Sequence, residues 1–422
     1  MKIIVSHIGK QHVNALLLGL TKRNVLEKFY TSIAANKFTP PLASLLAMTM
    51  GKTWVSKIKK QHFQGVSNDK IVHFPLIAFF KKIIKSEYWG LKTSHKWFDK
   101  WVASIIKTAD FDILIGYENS NLESFKVAKE REKITVLDFT AVHHGFQNPV
   151  LTDAKVYANS SEVAYISKRK EEALRYTDYI IALSTFAERT LIDNGFPQNR
   201  IYKTYLGINH SVFTPKTKYN FVKSGENDKN TEEPLELYFV GTLSYRKGLP
   251  FMMQLLNTLI GRKFNVRLTL IGPVDDFDVP QLDAPYFRYI PFLNHTELVK
   301  IHHELDIFVF PSNIDSWAQV VIEAMACGSP ILVSENTGAK DAVAQGGGVV
   351  LPVGDLTAWV NAVEHFYSNR FLLKKVGEQA VLVSKQYTWE AYHEQVFDIM
   401  TDIVSRTLVR ESGVTQTSIN QF

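Results

Sequence analysis

The chain has 422 residues, which is long for one ordinary domain and predicts two. Its content of 45% hydrophobic and 21% charged residues is typical of a globular protein and excludes a disordered chain. The net charge is +6, and the single cysteine, Cys327, excludes an internal disulfide and so favours a reducing cytosol over secretion. We expect neither a signal peptide nor a transmembrane helix, because every apolar run is too short.

The first half of the chain alternates between apolar runs and amphipathic segments, which predict strands and the helices that cover them. The predicted strands are Lys2–Ile8, Lys28–Ser32, Phe111–Glu118, the start of ITVLDFTAVHHG, Asp178–Ser184 and Ile201–Gly207. The predicted helices are Gln11–Leu20, a segment through Ala128, the long charged segment Ala154–Tyr176 and a helix that ends at Gly195. The rest of residues 25–107 has an aromatic, basic and mostly helical pattern.

Residues 52–107 carry most of the positive charge. They hold twelve lysines, no arginine and three acids, which gives +9, and four of the seven tryptophans. Lysine clusters with interfacial aromatics suit an anionic membrane surface, although helices with solvated lysine faces would show the same composition. No recognisable nucleic-acid motif accompanies them, so we expect no nucleic-acid binding.

Two histidines, His143 and His144, stand where we expect the strand of ITVLDFTAVHHG to end, before Gly145. Parallel α/β sheets bind their ligands beyond the carboxyl ends of the strands. We therefore take His143 as a candidate site residue, with His144 close behind. The alternative is a loop histidine that is satisfied by backbone groups.

The second half alternates more regularly and predicts a parallel, doubly wound sheet. Its predicted strands are Glu236–Leu243, Val266–Gly272, Phe287–Phe292, Ile307–Ser312, Pro330–Ser334 and Gly348–Pro352. Helices are predicted at Leu249–Leu259, Thr296–Leu305, Asp355–Tyr367 and Thr388–Arg406. Lys216–Pro234 is polar and predicts a linker between two domains.

The most informative stretch is DSWAQVVIEAMACG, Asp315–Gly328. We expect a helix from Trp317 to Cys327, with Asp315 or Ser316 as its N-cap and Gly328 at its end. A helix N-terminus at the edge of a parallel sheet favours phosphate. Carboxylates at both ends, Asp315 and Glu323, suit the hydroxyl groups of a nucleotide sugar.

The segment IEAMACGSPILVS resembles the Glu-seven residues-Glu motif of retaining GT-B glycosyltransferases, especially glycosyltransferase family four. Glu323 matches the second acid, Asp315 stands for the first Glu, and SWAQ replaces the usual Gly-rich turn. The run from Thr177 to Pro215 resembles the last unit of that family's first domain. The resemblance implies a GT-B fold, with two Rossmann-like doubly wound domains facing across a donor and acceptor cleft. The implied parts are residues 1–215, a linker at 216–234, residues 235–387, a helix at about 388–409 that packs back on the first domain, and a tail at 410–422.

The same resemblance assigns roles to site residues. Within GTLSYRKG, Gly241–Gly248, it implies that Arg246 and Lys247 bind the donor diphosphate, although RKG could also be a solvated helix start. It implies that Glu323 binds the ribose and that Asp315 binds the hydroxyls of the donor sugar. It also implies that His143 contacts the donor sugar and faces the acceptor. Other expected donor-binding positions are Gly9, Gly241, Thr242, Gly272, Phe292, Ala318, Gln319 and Val320.

Asp275–Asp278 contains an aspartate-x-aspartate pattern that occurs as a metal motif in another glycosyltransferase fold. Here it follows a strand of a Rossmann-like domain, so we interpret it as an exposed acidic loop. We expect no metal and no cofactor apart from the nucleotide sugar as co-substrate. Arg246, Lys247 and the helix amides near Gln319 would take the place of a divalent ion.

The function implied by the resemblance is sugar transfer from a nucleoside-diphosphate sugar to a saccharide or lipid-linked acceptor, with retention of configuration. We expect a role in bacterial cell-envelope polysaccharide or lipopolysaccharide synthesis, in the cytoplasm or peripherally on the inner membrane. Two alternatives stay open. One is a nucleotide-sugar epimerase or hydrolase, and the other is a catalytically silent GT-B protein that binds a nucleotide or a partner. The base, the sugar, the acceptor and the oligomeric state stay undetermined.

Overall fold

The computed structural model describes residues 1–10, 12–37, 58–75, 77, 87–153, 160–217, 233–277 and 285–411. These residues form two parallel β-sheets, one of seven strands and one of six, with helices between most successive strands. Each sheet therefore has the doubly wound arrangement that the alternating pattern predicts, and the α/β fold class is confirmed. Within these ranges, no helix is both long enough and apolar enough to cross a membrane.

The first sheet has the order β3-β2-β1-β4-β5-β6-β7. Its strands are β1 (Ile3–Ser6), β2 (Leu26–Thr31), β3 (Ile71–His73), β4 (Ile113–Tyr117), β5 (Ile134–Phe139), β6 (Tyr179–Ala182) and β7 (Ile201–Lys203). The β1 strand is central, since it pairs with both β2 and β4. The chain direction across the sheet reverses there, which opens a crevice between the loops after β1 and β4.

Six helices of the described residues accompany this sheet. They are α1 (Val13–Lys22), α2 (Glu87–Ile106), α3 (Leu122–Glu130), α4 (His144–Asp153), α5 (Ser160–Leu174) and α6 (Thr185–Asp193). The helix α3 begins where Asp99 of α2 accepts hydrogen bonds from the Glu123 and Ser124 amides, at 2.8 and 2.9 Å. Asp99 is fully buried and also pairs with Arg169 of α5 at 2.6 Å, so one carboxylate fixes three helices.

The second sheet has the order β10-β9-β8-β11-β12-β13. Its strands are β8 (Leu235–Val240), β9 (Val266–Ile271), β10 (Phe287–Ile290), β11 (Ile307–Phe310), β12 (Ile331–Ser334) and β13 (Gly348–Leu351). Here the direction reverses between β8 and β11, which are neighbours in the sheet. The loops after these two strands therefore meet at the carboxyl edge.

The helices of the second half are α7 (Leu249–Gly261), α8 (His295–Glu304), α9 (Gln319–Ala326), the short α10 (Lys340–Ala342), α11 (Leu356–Ser368), α12 (Phe371–Ser384) and α13 (Trp389–Glu411). The last helix crosses back and packs on α1 of the first half. A Cβ at Gly19 of α1 would lie 2.9 Å from the His393 ring of α13, so the glycine permits this close approach.

The predicted strands are all present, but most end one to four residues before the predicted bounds. In the second sheet the reason is visible at Gly241 and Gly272, whose φ angles of 148° and 137° take the backbone out of the strand. The strand of ITVLDFTAVHHG ends at Phe139, not at the histidines. The predicted linker lies mostly outside the described residues.

Two helix predictions differ in their bounds from the helices of the structure. The predicted helix Ala154–Tyr176 is present as α5, Ser160–Leu174, and residues 154–159 lie outside the described residues. The predicted helix Trp317–Cys327 begins only at Gln319, and neither Asp315 nor Ser316 caps it. Its first flanking residue is Ala318 in a left-handed conformation, with φ 62°.

Candidate functional site

The loop after β8 forms a tight turn that presents Lys247. Tyr245–Lys247 is one 3₁₀ turn, and the Ser244 side chain caps it by accepting the Lys247 amide hydrogen bond. Gly248 closes the turn with φ 75°, and a Cβ there would lie 2.0 Å from the Pro311 carbonyl oxygen. Only glycine fits this position, so the turn is held directly against the end of β11.

Lys247 and Asp315 form an ion pair across the two loops. The Lys247 Nζ donates a hydrogen bond to Asp315 Oδ2, and Arg246 Nη1 lies 4.0 Å from the same oxygen. Both partners of the pair are buried, with side chains 11% and 13% exposed. Burial disfavours ionisation of Asp315, but Lys247 and Arg246 outweigh it and lower the pKa of the carboxyl. Burial also lowers the pKa of Lys247, against the opposing effect of Asp315.

Further hydrogen bonds bind the loops of this edge together. The Asn313 side chain donates to the Tyr245 carbonyl at 2.8 Å, and its amide donates to the Arg246 carbonyl at 3.0 Å. Asp276 Oδ1 accepts the Tyr245 amide hydrogen bond at 2.8 Å. This acidic residue therefore supports the Lys247 turn from the loop after β9. Asp278 of the same acidic loop lies outside the described residues.

The helix α9 starts beside Asp315. Asp315 Oδ1 accepts a hydrogen bond from the Trp317 amide nitrogen at 3.1 Å and does not cap the helix. The first intrahelical hydrogen bond is donated by Val321 to the Ala318 carbonyl, so the amides of Gln319 and Val320 precede it. These amides and the helix dipole favour an anion at the same edge as Arg246 and Lys247.

Glu323 lies one turn along α9 from Gln319 and is partly buried. Among the described residues its carboxylate has no hydrogen bond or ion pair, and burial raises its pKa to about 7. A partly buried carboxyl without a protein partner is costly to ionise, which points to a ligand that supplies hydrogen-bond donors.

The remaining donor positions predicted in the second half lie around the carboxyl edge of the second sheet. Gly241 and Gly272 pack so closely that a Cβ on Gly272 would lie 2.0 Å from the Gly241 carbonyl oxygen. Thr242 and Val320 are half-buried, and Phe292 is 75% exposed after β10. The Gln319 side chain does not stay at this edge, because it donates to the Gly207 carbonyl at 3.0 Å.

His143 lies on the first sheet's side. Its amide donates to Thr190 Oγ1 at 3.1 Å, and its Nδ1 accepts the Gly145 amide at 3.1 Å. Burial, with help from His144 and Lys170, lowers its pKa to about 4. No described hydrogen bond or ion pair joins His143 directly to Lys247 or Asp315.

One group among the described residues has the composition of a metal site. His143, His144 and Glu171 place one ligand atom each within 4.8 Å of one another. The Gly145 amide, however, occupies His143 Nδ1, so the neutral ring carries its proton on Nε2, the atom that faces Glu171 at 3.9 Å. A metal on Nε2 would move the proton to Nδ1, where the Gly145 amide already donates, so this ring disfavours a metal. Whether the protein needs a metal stays a prediction.

At the crevice of the first sheet, Gly9 follows β1 and donates its amide to His7 Nδ1 at 2.9 Å. Sequence reasoning missed a buried polar cluster nearby. Asp138 Oδ2 accepts from Tyr117 Oη at 2.5 Å and lies 2.9 Å from His12 Nε2. The signal that could have revealed it is an aspartate inside the otherwise apolar strand β5.

Comparison with known proteins agrees with this geometry. Residues 223–383, which include the whole second sheet, match the family model described as glycosyl transferases group 1. The second half of the chain therefore carries a group 1 glycosyltransferase domain. Among solved structures, sucrose-phosphate synthase of Thermosynechococcus elongatus gives a TM-score of 0.63 at 15% identity, over 96% of this chain and 100% of that one. HepE of Anabaena in complex with UDP gives 0.58 at 14% identity, over 95% and 100%. These likenesses confirm the GT-B fold.

Two relatives match about half of this chain. The capsular polysaccharide biosynthesis glycosyltransferase CapM of Staphylococcus aureus is 23% identical over 226 residues, or 51% of this chain and 60% of CapM. A D-inositol 3-phosphate glycosyltransferase of Corynebacterium urealyticum is 26% identical over 240 residues, or 52% of this chain and 56% of that protein. The matches thus span somewhat over half the length of either relative.

Proposed function

We propose that this protein transfers a sugar from a nucleoside-diphosphate sugar to a hydroxyl of a saccharide or lipid-linked acceptor, with retention of anomeric configuration. The observation that carries the proposal is the arrangement at the second sheet's edge. Arg246 and Lys247 are fixed where β8 and β11 diverge, beside the start of α9. The Glu323 carboxylate on that helix has no hydrogen bond or ion pair with any described residue. This is an anion site next to an unsatisfied hydrogen-bond acceptor, which fits a diphosphate followed by a ribose diol.

In the proposed reaction the bond between the sugar C1 and the diphosphate oxygen breaks, and a bond between C1 and the acceptor oxygen forms. The acceptor hydroxyl gives its proton to the departing phosphate. Arg246 and Lys247 stabilise the negative charge that grows on the diphosphate, with the amides of Gln319 and Val320. Asp315 keeps Lys247 oriented and is available to hydroxyls of the donor sugar.

The test begins with nucleotide binding. UDP, GDP, ADP and their sugars are titrated calorimetrically against the wild type, Lys247→Ala and Glu323→Gln. Charge-assisted hydrogen bonds contribute about 1.5–3 kcal/mol. A nucleotide that binds the wild type should therefore bind Lys247→Ala roughly 10–100-fold more weakly. Lys374→Ala is the matched control, because that lysine is exposed and pairs only with Glu378 on the surface.

Turnover separates the alternatives. Release of nucleoside diphosphate only when an acceptor is present supports transfer, and NMR of the product gives its anomeric configuration. Release without an acceptor would indicate a hydrolase, and conversion of the sugar without release an epimerase. If the wild type binds a nucleotide, Lys247→Ala loses that binding and no acceptor gives turnover, the protein would be a silent nucleotide-binding protein. No binding of any nucleotide would contradict the proposal itself.

The acceptor is proposed by analogy with CapM, whose name places it in capsular polysaccharide biosynthesis. We propose a cell-envelope saccharide or its lipid-linked precursor, assembled at the cytoplasmic face of the membrane. Part of the basic segment 52–107 supports this location. On α2, Trp97 is 43% exposed, with Lys96 before it and exposed Lys100 one turn later. An exposed indole flanked by lysines suits an anionic lipid headgroup layer.

Membrane binding is tested with vesicles of phosphatidylglycerol and phosphatidylcholine. The wild type should sediment with anionic vesicles at low salt, and less so as salt rises. The Trp97→Ala, Lys100→Glu double variant should lose most of this binding, whereas Lys374→Glu on the other half of the chain should keep it. Equal sedimentation of all three proteins would rule out this surface.

A further inference from the structure

We infer that Ser316 is a positioning residue, which holds the Lys247–Asp315 pair on the donor side against the loop that carries His143. The inference rests on the proposed function for its chemical consequence, but its geometry is independent of it. Ser316 belongs to SWAQ, the segment that follows Asp315 directly in the sequence. Its hydroxyl and its carbonyl oxygen both bind residues of the first sheet's half.

The first hydrogen bond leads to the loop after β5. Ser316 Oγ donates to the Thr140 carbonyl oxygen at 2.6 Å. Thr140 precedes His143 by three residues in the same loop. The donor-side acid Asp315 is therefore joined to the histidine loop through one side chain.

The second hydrogen bond leads to the helix that supports His143. Ser184 Oγ donates to the Ser316 carbonyl oxygen at 2.7 Å and also caps α6, where it accepts the Ala187 amide at 3.0 Å. Thr190 of the same helix accepts the His143 amide at 3.1 Å. Both bonds of Ser316 thus end on structures that fix His143.

The neighbours of Ser316 add to this junction. Trp317 is 2% exposed and packs 5.2 Å from the Tyr205 ring, while Gln319 donates to the Gly207 carbonyl at 3.0 Å. Gly338 makes room for the junction, since a Cβ there would lie 2.0 Å from the Ser316 oxygen and 2.6 Å from Ser184 Oγ. A glycine-rich turn has no hydroxyl, indole or amide side chain, so it could not make these contacts. The SWAQ sequence therefore stabilises the approach of the two halves.

Loss of the Ser316 hydroxyl should therefore affect turnover but not nucleotide binding. The residues that would hold the nucleotide, Lys247 and Glu323, belong to the second half alone, so nucleotide affinity should not depend on Ser316. Transfer needs the acceptor side at a fixed distance from the donor, so turnover should depend on it. Ser316→Ala removes the bond to Thr140 and keeps the carbonyl that binds Ser184.

The approach of the two halves is measured by electron spin resonance between two spin labels. Cys327, the sole cysteine of the sequence, is buried, so labels at Lys100→Cys and Leu382→Cys report specifically on the two halves. Loss of one hydrogen bond worth about 1 kcal/mol should shift the ratio of closed to open molecules about fivefold. We expect Ser316→Ala to broaden and lengthen the distance distribution, and Ser316→Thr, which keeps the hydroxyl, to restore it. Ser104→Ala, an exposed serine of α2, is the control and should change nothing.

Kinetics complete the test. Ser316→Ala should lower kcat about fivefold or more while the nucleotide Kd stays within twofold of the wild type, and Ser316→Thr should recover kcat. Unchanged label distances in Ser316→Ala would overturn the inference, whatever the activity. Longer distances with unchanged kcat would overturn the positioning role. A wild type that binds no nucleotide would refute the proposed function, and the label distances would still decide whether Ser316 joins the two halves.

Discussion

Lys247 and Asp315 are 68 residues apart in sequence, yet the lysine Nζ donates a hydrogen bond to the aspartate Oδ2. They meet because β8 and β11 are neighbours at the point where the second sheet reverses direction, and each residue lies in the loop after one of these strands. Both side chains are largely withdrawn from solvent, so each depends on the other for compensation of its charge. The fold therefore assembles the cation of the proposed diphosphate site before any ligand arrives.

Replacing Asp315 with Asn should destabilise the protein without a ligand. The substitution leaves Lys247 buried and without its carboxylate, and breaking a buried pair costs about 3–5 kcal/mol, so we expect roughly 2–4 kcal/mol for this pair. Urea unfolding measures the change in free energy. The double variant Lys247→Met, Asp315→Asn should recover at least half of the loss, because no unpaired charge remains. An Asp315→Asn protein as stable as the wild type would show that the pair contributes nothing.

Gly248→Ala should damage the Lys247 turn. The residue has φ 75°, which costs an L-residue about 1–2 kcal/mol, and the new Cβ would also overlap the Pro311 carbonyl. We expect more than about 2 kcal/mol of destabilisation, together with weaker nucleotide binding. Gly261→Ala is the matched control, since a Cβ there meets nothing within 4 Å at the end of α7, and it should be neutral or slightly stabilising. Equal effects of the two substitutions would contradict this explanation.

The fold was predictable from the sequence because its signal is regular. Apolar runs such as Val266–Ile271 alternate with amphipathic helices, and this alternation permits little other than a parallel sheet. The short strand β3, Ile71–His73, was missed, since three residues carry no periodicity. The α4 helix was missed because Pro149 lies inside it and proline ordinarily indicates a helix end.

The residues of the candidate site could be proposed from the sequence, but their contacts could not. Motif spacing indicated Lys247, Asp315 and Glu323, and the structure brings the first two together. Spacing could not show that Asp315 pairs with Lys247, since that contact depends on which strands are neighbours. It also could not show that Ser316 reaches Thr140 of the other half, because no local pattern encodes a contact between distant segments.

His143 should stay neutral across the physiological pH range. Burial lowers its pKa to about 4 from 6.5, so the unfolded chain takes up a proton on this ring at a higher pH than the folded protein does. The stabilising contribution is fully present above about pH 6.5 and is lost as the pH falls towards 4. NMR titration of the ring carbons measures this directly, with His143→Gln to assign the signal. A midpoint near 6.5 would contradict the buried environment.

Glu323→Gln should make the protein without a ligand more stable and its nucleotide binding weaker. Burial raises the Glu323 pKa to about 7 from 4.5, so keeping the carboxylate ionised in the folded state costs free energy that grows from about pH 4.5 to 7 and is constant above. At pH 8 the variant should gain up to about 3 kcal/mol in urea unfolding, and at pH 4.5 almost nothing. The exposed Glu364→Gln is the control and should show no such difference. A gain at both pH values would indicate better packing, and no gain at pH 8 would mean that Glu323 is well solvated. The same variant should bind nucleotide more weakly, because glutamine presents one acceptor oxygen to the ribose hydroxyls where the carboxylate presents two.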